Sequence, residues 1–168
     1  MKRLFFALWP EQNGRQQCAA LINKLNRTGK PVKEANLHVT VLFLGRISPE
    51  QQAGITGEAG KLPSPPITLS FDRLSFWKKP AVLCLTACQF DQSVSILNKN
   101  LARIAKQQGI PIENRPFKPH VTLVKKANSA IDLDFVPILW RSNGFCLVES
   151  CSGSDGVEYR IIQHWPAI

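Results

Sequence analysis

The sequence has few of the residues that metal and redox centres need. It contains only three histidines, His38, His120 and His164, and no His-Glu-x-x-His or His-x-x-Glu pattern. Catalytic zinc usually has three protein ligands drawn from His, Cys and carboxylate side chains, so two histidines with threonine neighbours supply too few. His164 lies in a C-terminal segment without matching context, which predicts a structural or surface role. We therefore expect neither a metal ion nor another cofactor.

Cysteine pairs are missing as well. The five cysteines are odd in number and include no Cys-x-x-Cys pair. This argues against a zinc ribbon, a thioredoxin site or a secreted disulfide framework. We expect buried thiols in a reducing cytosol.

Long apolar runs and phosphate-binding loops do not occur either. No stretch approaches the ~20 apolar residues of a membrane span, and the first apolar run is too short for a signal peptide. There is no Gly-x-Gly-x-x-Gly or phosphate-loop lysine motif, and Ser154 does not lie in a Gly-x-Ser-x-Gly elbow. We expect a cytoplasmic protein that does not engage a membrane and is a monomer.

Positive charge is in clear excess. The 21 Lys and Arg residues outnumber the 12 Asp and Glu residues, which gives a formal net charge of +9. This excess favours an anionic partner, and nucleic acid is the first candidate. The 168 residues suffice for one domain with a substantial core.

Strand and helix patterns alternate in the same order in both halves of the chain. Apolar runs at residues 4–9 and 81–87 predict buried strands. A helical pattern follows each run, over residues 11–28 and after the N-cap residue Asp91. The second helix has one apolar stripe, formed by Val94, Leu97, Leu101, Ile104 and Ala105.

The end of each of these units carries the same short motifs. Gly29 and Gly109 each predict a helix stop, with a proline two positions later that prevents resumption. A strand-like run with His-Val-Thr follows, at residues 38–40 and again at residues 120–122, 82 positions further on. Two copies at matched places in matched units predict an internal repeat.

The repeat predicts the fold class. We expect an α+β fold of two similar lobes related by pseudo-two-fold symmetry. Each lobe is an antiparallel sheet with helices on its outer face, and the active-site cleft lies between the lobes. Residues 1–168 form a single bilobal domain, with repeats at approximately 1–62 and 81–140 and exchanged flanking strands.

Further elements surround the repeats. The sequence Ser48-Pro49-Glu50-Gln51 is a capping box, which predicts a helix over residues 49–61. Residues 67–71 alternate like a strand, residues 78–80 read as a turn, and residues 145–149 and 159–162 as late strands.

The doubled His-x-Thr motif indicates acid–base chemistry on a phosphate. Residues two apart on a strand share a face, so His38 projects with Thr40 and His120 with Thr122. One imidazole can accept a proton from water while the other donates one to a leaving oxygen, because the unperturbed pKa is near 6.5. The hydroxyls can donate to non-bridging phosphate oxygens. A single copy would fit a packed histidine beside a strand-forming threonine equally well.

The motifs resemble those of a known family. The run 38–45, His-Val-Thr-Val-Leu-Phe-Leu-Gly, and the run 115–123, Arg-Pro-Phe-Lys-Pro-His-Val-Thr-Leu, are similar to the paired signatures of the two-histidine phosphoesterases. Within that superfamily the chain most resembles the bacterial RNA 2′,3′-cyclic phosphodiesterases, also called 2′-5′ RNA ligases. Residues 3–7 are similar to the opening strand of that family, and Tyr159 with residues 164–166 to its closing segment.

The resemblance implies a function and a set of site residues. It implies hydrolysis of RNA 2′,3′-cyclic phosphate ends to 2′-phosphomonoesters without a cofactor, and a reversible 2′-5′ ligation. Substrates would be RNAs with cyclic phosphate or 2′-5′ linked ends, tRNA fragments among them. His38 would be the general acid and His120 the general base, although the approximate symmetry makes these roles easy to exchange.

Three further residues are weighed beside the motifs. Related enzymes usually carry Arg where this chain has Lys125, a point charge that cannot make a bidentate phosphate contact. Arg115 is a second candidate phosphate contact, with an exposed or structurally paired arginine as the alternative. Strand alternation puts Phe43 on the face opposite His38, which predicts a core position. The alternative is that a twist of the strand brings Phe43 to line the site.

Two other functions remain open from the sequence. The same chemistry could act on 2′-5′ oligonucleotides or small cyclic nucleotides. Alternatively, a non-catalytic protein could bind RNA through basic charge alone.

Overall fold

A computed structural model describes residues 1–25 and 27–168 of the chain. The helices among these residues are α1 (Gln12–Lys24), α2 (Pro49–Ala59) and α3 (Gln92–Gln107). The strands are β1 (Lys2–Leu8), β2 (Lys30–Pro31), β3 (Val39–Ile47), β4 (Ile67–Phe71), β5 (Arg73–Trp77), β6 (Val82–Thr86), β7 (His120–Lys125), β8 (Ile138–Ser142), β9 (Phe145–Gly153) and β10 (Gly156–Trp165). Among the described residues, no helix is long and apolar enough to cross a membrane.

The strands form one large and one small antiparallel sheet. The large sheet has the order β10-β9-β1-β3-β7-β6-β5, with β2 also paired to β7, and β4 pairs with β8 apart from it. The chain halves meet where β3 lies beside β7, at the antiparallel pair Val39 and Val121. On the β3 side of this pair lie β1 and, from the end of the chain, β9 and β10; on the β7 side lie β6 and β5, with the short β2 also paired to β7.

The helices cover one face of the large sheet. Apolar residues of all three helices join one core with sheet residues such as Leu4, Val39 and Val121. Helix α3 packs across the boundary between β3 and β7. It follows β6 in the chain but packs on β3, where Asn98 donates a hydrogen bond to the Val41 carbonyl at 2.7 Å. The opposite face carries its own small cluster, in which Phe5, Ala7, Cys146 and Val148 are buried. This second face is called the site face below.

The predicted α+β class with antiparallel sheets is confirmed. The two halves are joined into one continuous sheet, and the helices share one of its faces. The repeat boundaries at 1–62 and 81–140 remain a prediction.

Helix starts follow the predicted capping chemistry. The Ser48 hydroxyl accepts from the Gln51 amide at 3.2 Å, and the Gln51 side chain accepts from the Ser48 amide at 3.0 Å. Asp91 accepts from the Ser93 amide at 2.9 Å at the start of α3. Each bond satisfies a backbone N–H that the first helical turn leaves without a partner.

The role predicted for Gly29 is wrong, whereas that of Gly109 is confirmed. Gly109 follows α3 with φ of 74°, a left-handed conformation that ends helices. Helix α1 ends at Lys24, and Arg27 has the left-handed φ of 70° instead. Gly29 lies against β7, where an added Cβ would be 2.6 Å from the Lys125 carbonyl oxygen. A close backbone approach therefore explains this glycine.

Other expectations need correction as well. The turn at residues 78–80 and the strands β4, β9 and β10 are confirmed, but β5 and β8 were not predicted. All five cysteines are free, yet Cys88 is exposed and Cys151 is partly exposed, so the expectation of buried thiols holds only for Cys18, Cys84 and Cys146.

Gly29→Ala should destabilise the protein by about 1–3 kcal/mol, the usual cost of overpacking, because a β-carbon there overlaps a backbone oxygen of β7. Gly57→Ala is the matched control. Its added methyl meets no described atom within 4 Å inside helix α2, so stability should rise by about 0.5–1 kcal/mol. Urea unfolding midpoints measure both effects. Equal midpoint shifts of the same sign would contradict the assignment of Gly29.

Candidate active site

The strand crossing brings both His-x-Thr motifs to one place. Val39 pairs with Val121 where β3 and β7 meet. Extending this antiparallel register by one residue on each side sets His38 towards Thr122 and Thr40 towards His120. Because Val39 and Val121 are buried in the helix-side core, strand alternation turns these four side chains to the site face.

Hydrogen bonds fix the tautomer of His38. Its Nδ1 lies 2.7 Å from the carbonyl oxygen of Asn36, which can only accept, so Nδ1 carries the proton. Its Nε2 lies 2.8 Å from the hydroxyl of Thr40, which is 9% exposed. In the neutral ring Nε2 holds the lone pair, and the Thr40 hydroxyl donates to it.

The ring of His38 is enclosed by three aromatic side chains. The Trp9 ring lies nearly parallel to it, with centroids 5.8 Å apart and an interplanar angle of 14°. Phe5 and Tyr159 each have ring centroids 5.0 Å from that of His38. These neighbours come from β1, the segment after it and β10, and they leave the His38 side chain half-buried.

His120 is held in a corresponding way. Its Nδ1 donates to the carbonyl of Lys118 at 2.9 Å, again two residues before the histidine, which leaves Nε2 as the basic nitrogen. The ring of Trp77, at the end of β5, has its centroid 4.5 Å from that of His120. Both imidazoles therefore have the same tautomer, set by the same local backbone contact.

The surroundings lower the pKa of both histidines. Burial lowers the pKa of His38 from 6.5 to about 4; the Asn36 carbonyl opposes this shift, and the positive charges of His120 and Lys125 add to it. Burial also lowers the pKa of His120; the Lys118 carbonyl opposes the shift and Arg115 adds to it. Because the charges of His120 and Lys125 on β7 act on His38, these three side chains belong to one electrostatic site.

Matching β-bulges redirect one residue after each motif. The register of β1 with β3 skips Val41, and the register of β6 with β7 skips Leu123, in each case the third residue after the histidine. An extra residue reverses the strand alternation beyond it. The side chain five positions after each histidine consequently returns to the site face.

Phe43 and Lys125 are the two residues redirected in this way. Phe43 pairs with Phe5, with ring centroids 5.9 Å apart, and is 54% exposed. The assignment of Phe43 to the core is therefore wrong, and the bulge is the reason. Lys125 pairs with Val82 on the site face, and its exposed ammonium is close enough to affect His38.

Arg115 lies beside the site in the loop before β7. Its Nε is 3.0 Å from a carboxylate oxygen of Glu113, and both side chains are largely exposed. Its charge acts on His120, so it is near that ring. Both of the roles weighed for Arg115, phosphate contact and structural pairing, thus have a geometric basis.

The sequence reasoning missed the aromatic neighbours of the two imidazoles. Trp9 and Phe5 were read only as part of an apolar strand, and β5, which carries Trp77, was not predicted. Trp9 at the end of its apolar run and Trp77 just before the second run are weak signals, because the contacts depend on strand pairings that are distant in sequence. Among residues 1–25 and 27–168, no three His, Cys, Asp or Glu side chains are grouped so that they could hold a metal ion.

Comparison with known proteins gives consistent matches. The family model described as LigT like Phosphoesterase matches residues 8–84. The RNA 2′,3′-cyclic phosphodiesterase of Escherichia coli (strain K12) is 29% identical over 168 residues, covering 98% of this chain and 96% of that protein. That of Bacillus subtilis (strain 168) is 28% identical over 102 residues, covering 58% of this chain and 55% of that protein.

Solved structures agree in the whole fold. Escherichia coli LigT complexed with 3′-AMP superposes with a TM-score of 0.91 at 29% identity, over 99% of this chain and 98% of that chain. A structure described as a phosphoesterase gives a TM-score of 0.92 at 28% identity, with the same coverage of 99% and 98%. Two half-sheets that turn one His-x-Thr pair each to a common face are the arrangement expected of a two-histidine phosphoesterase. Within that class, the chain is similar to the LigT-like phosphoesterases in sequence and in fold.

Titration of the two imidazoles by NMR should give a pKa near 4 for His38 and a pKa below 6.5 for His120, because burial disfavours the charged rings. The unfolded chain binds a proton at His38 where the folded chain does not, so the folded protein should lose stability as the pH falls from 6.5 towards about 4.

Trp9→Leu provides the comparison. It removes the indole ring that lies nearly parallel to the His38 imidazole, so that water can approach the imidazole. The pKa of His38 should then rise towards 6.5 while that of His120 changes little. An unperturbed pKa for His38 in the unchanged protein would be incompatible with the buried geometry.

Proposed function

We propose that the chain hydrolyses RNA 2′,3′-cyclic phosphate ends to 2′-phosphomonoesters, with His38 and His120 as the acid–base pair. The observation that carries this proposal is the strand register that turns two His-x-Thr motifs to one face. The relatives named RNA 2′,3′-cyclic phosphodiesterase support the substrate class. The formal charge of +9 is in keeping with an RNA substrate.

The proposed reaction needs one base and one acid. Neutral His120 accepts a proton from water through Nε2, and the water oxygen forms a bond to phosphorus. The bond from phosphorus to the 3′ oxygen breaks, and protonated His38 donates its proton to that oxygen. The products are a 3′ hydroxyl and a 2′-phosphomonoester. A positioned acid or base is typically worth about 10²–10⁴ in rate.

The low pKa of His38 places a condition on its role as the acid. With a pKa of about 4 in the free protein, about one His38 in a thousand is protonated at pH 7. A phosphodiester anion placed beside the ring favours the imidazolium, so substrate binding itself raises the pKa of His38. Substrate charge and acid catalysis are thus coupled in the proposed mechanism.

The threonines and the lysine act on the phosphate. Thr40 and Thr122 offer hydroxyl donors to the non-bridging oxygens, where negative charge increases in the transition state. For Thr40 this requires its hydroxyl to exchange its present bond to His38 Nε2 for one to the substrate. Lys125 contributes a positive charge on the same face, and Arg115 can join it when released from Glu113.

Several finer points belong to the same proposal. The enzyme acts without a metal ion or another cofactor, as a monomer in the cytoplasm, where its five free thiols are compatible with a reducing environment. Substrates include RNAs with 2′-5′ linked ends and tRNA fragments. The same site also carries out a reversible ligation, in which a 5′ hydroxyl oxygen in place of water bonds to phosphorus and the bond to the 3′ oxygen breaks, leaving a 2′-5′ linkage and a 3′ hydroxyl. The internal repeat at 1–62 and 81–140 provides the two half-sites.

His38→Ala and His120→Ala should each lower the rate of 2′-phosphate formation by about 10²-fold or more, because each removes one proton-transfer group. The assay uses an RNA that ends in a 2′,3′-cyclic phosphate, with EDTA present throughout. His164→Gln is the control, since that ring bonds to the Asn143 carbonyl and should leave the rate unchanged.

Two outcomes would contradict the proposal. If the unchanged protein forms no 2′-phosphate product, the proposed enzymatic activity is wrong. RNA binding without turnover would then support a non-catalytic RNA-binding protein. Full activity in either of the two alanine variants would remove the proposed acid–base pair.

Lys125→Ala should raise KM by about tenfold and lower kcat less, because a partly exposed charge–phosphate contact contributes on the order of 1 kcal/mol to binding. Lys125→Arg should restore or improve KM, since the guanidinium can contact two phosphate oxygens. Lys126→Asn is the neighbouring control; it removes the same charge at a position whose φ of 50° asparagine tolerates. A KM as high in Lys126→Asn as in Lys125→Ala would argue against a specific role for Lys125.

A further inference from the structure

The two sides of the site are built differently despite the shared motifs. Beside His38 the sheet continues through β1 and β9 to β10, whose Tyr159 packs against the His38 ring. Beside His120 it continues through β6 to β5, which forms the other edge of the sheet. By the strand registers, β5 occupies the place in its half that β9 occupies in the other, so the His120 side ends one strand earlier.

Charge follows the same division. The segments 73–88 and 114–128, which form the β5–β6 hairpin and the region around β7, contain seven cationic residues and no Asp or Glu: Arg73, Lys78, Lys79, Arg115, Lys118, Lys125 and Lys126. The β9–β10 hairpin, residues 145–165, contains three carboxylates, Glu149, Asp155 and Glu158, and one cationic residue, Arg160. An RNA backbone therefore meets cations without carboxylates along β5, β6 and β7, whereas the β9–β10 hairpin presents both signs of charge, with Glu149 paired to Lys2 of β1.

The register places these cations at defined positions around His120. His120 pairs with Thr86, and Thr86 pairs with Arg73, so the three stand in one row with Arg73 about 10 Å from the histidine. Alternation along β5 puts Arg73 on the same face as Trp77, whose ring contacts His120. Lys78 and Lys79 follow Trp77 directly and are exposed in the turn to β6.

The carboxylates that directly precede these two segments in the sequence, Asp72 and Glu113, already have partners. Asp72 accepts from the Cys88 amide at 3.0 Å, and Glu113 lies 3.0 Å from the Arg115 Nε. Arg73 donates to the Cys88 sulfur at 3.2 Å, a weak acceptor that leaves its charge uncompensated. The outer strand β5 thus carries free positive charge at both ends and an aromatic ring near the imidazole.

We propose that single-stranded RNA 5′ of the terminal nucleotide leaves the site over β5 and the turn after it, with its phosphates against Arg73, Lys78 and Lys79. These three residues are called the exit cations. A charged groove together with an aromatic surface is how proteins bind single strands without reading their sequence. This inference rests on the proposed function and adds to it that substrates several nucleotides long are preferred over cyclic mononucleotides.

The test compares two substrates in the unchanged protein and in the variant Arg73→Gln/Lys78→Gln/Lys79→Gln. One substrate is a nucleoside 2′,3′-cyclic monophosphate, and the other is an unstructured decamer that ends in the same cyclic nucleotide. The variant should lose about tenfold or more in kcat/KM on the decamer and stay within about twofold on the mononucleotide. The slope of log kcat/KM against log salt on the decamer should become shallower by about 2, since each neutralised phosphate contributes about 0.7.

The control is Lys99→Gln/Arg103→Gln/Lys106→Gln on helix α3. It removes one arginine and two lysines from exposed positions on the helix side of the sheet, so the net charge changes equally. This control should keep the preference for the decamer and the original salt slope.

Each result has one interpretation. No turnover of either substrate by the unchanged protein would remove the proposed function. Turnover of both substrates with equal kcat/KM, or an equal loss in the α3 control, would overturn the exit path and leave the proposed function standing. A loss confined to the decamer in the exit-cation variant would establish the path.

Discussion

The site depends on the antiparallel pairing of Val39 with Val121, where the two halves of the sheet meet. Both valines are buried in the helix-side core, so the pair cannot slip by one residue without turning every polar neighbour into that core. The same apolar contact that joins the halves therefore determines that two imidazoles and two hydroxyls share one surface. Core packing thus determines the position of the polar groups, because burying the two valines on one face of the strands places the neighbouring histidines and threonines on the other face.

Local backbone contacts then give each imidazole its orientation. In both halves the carbonyl two residues before the histidine holds Nδ1, and in both halves burial lowers the pKa. The aromatic neighbours differ, with three rings around His38 and the Trp77 ring beside His120. The pKa of His38 is lowered to about 4 in these surroundings, so the acid role proposed for it depends on a phosphate anion beside the ring, which favours the imidazolium.

The sequence predicted what depends on local pattern. The His-x-Thr repeats, the capping residues Ser48 and Asp91 and the apolar stripe of α3 could be read directly, because each is set by neighbours in the chain. Phe43 could not, since alternation holds only until a bulge, and the bulge is visible only once β3 has a partner strand. Gly29 was misread for a similar reason. A side chain there would overlap the backbone of β7, which lies about a hundred residues further along the chain.

The aromatic walls and the outer strand β5 also depend on distant pairings. The alternation of Arg73, Ser75 and Trp77 along β5 carries little signal, because a short edge strand with mixed polarity resembles a loop. Composition alone predicted an anionic partner, whereas the concentration of positive charge beside β7 is visible only from the sheet order. Predictions from one sequence were therefore strongest for the reacting groups and weakest for their surroundings.

The matched bulges after the two motifs have a consequence for how such a protein can diversify. The bulge fixes a place on the site face five residues after each histidine, and the residue at that place, phenylalanine in one half and lysine in the other, is free to differ. Mutation at either place changes what the cleft recognises and leaves the strand pairing and both imidazoles where they are. A difference at this one matched position, Phe43 against Lys125, already gives the cleft two distinguishable ends.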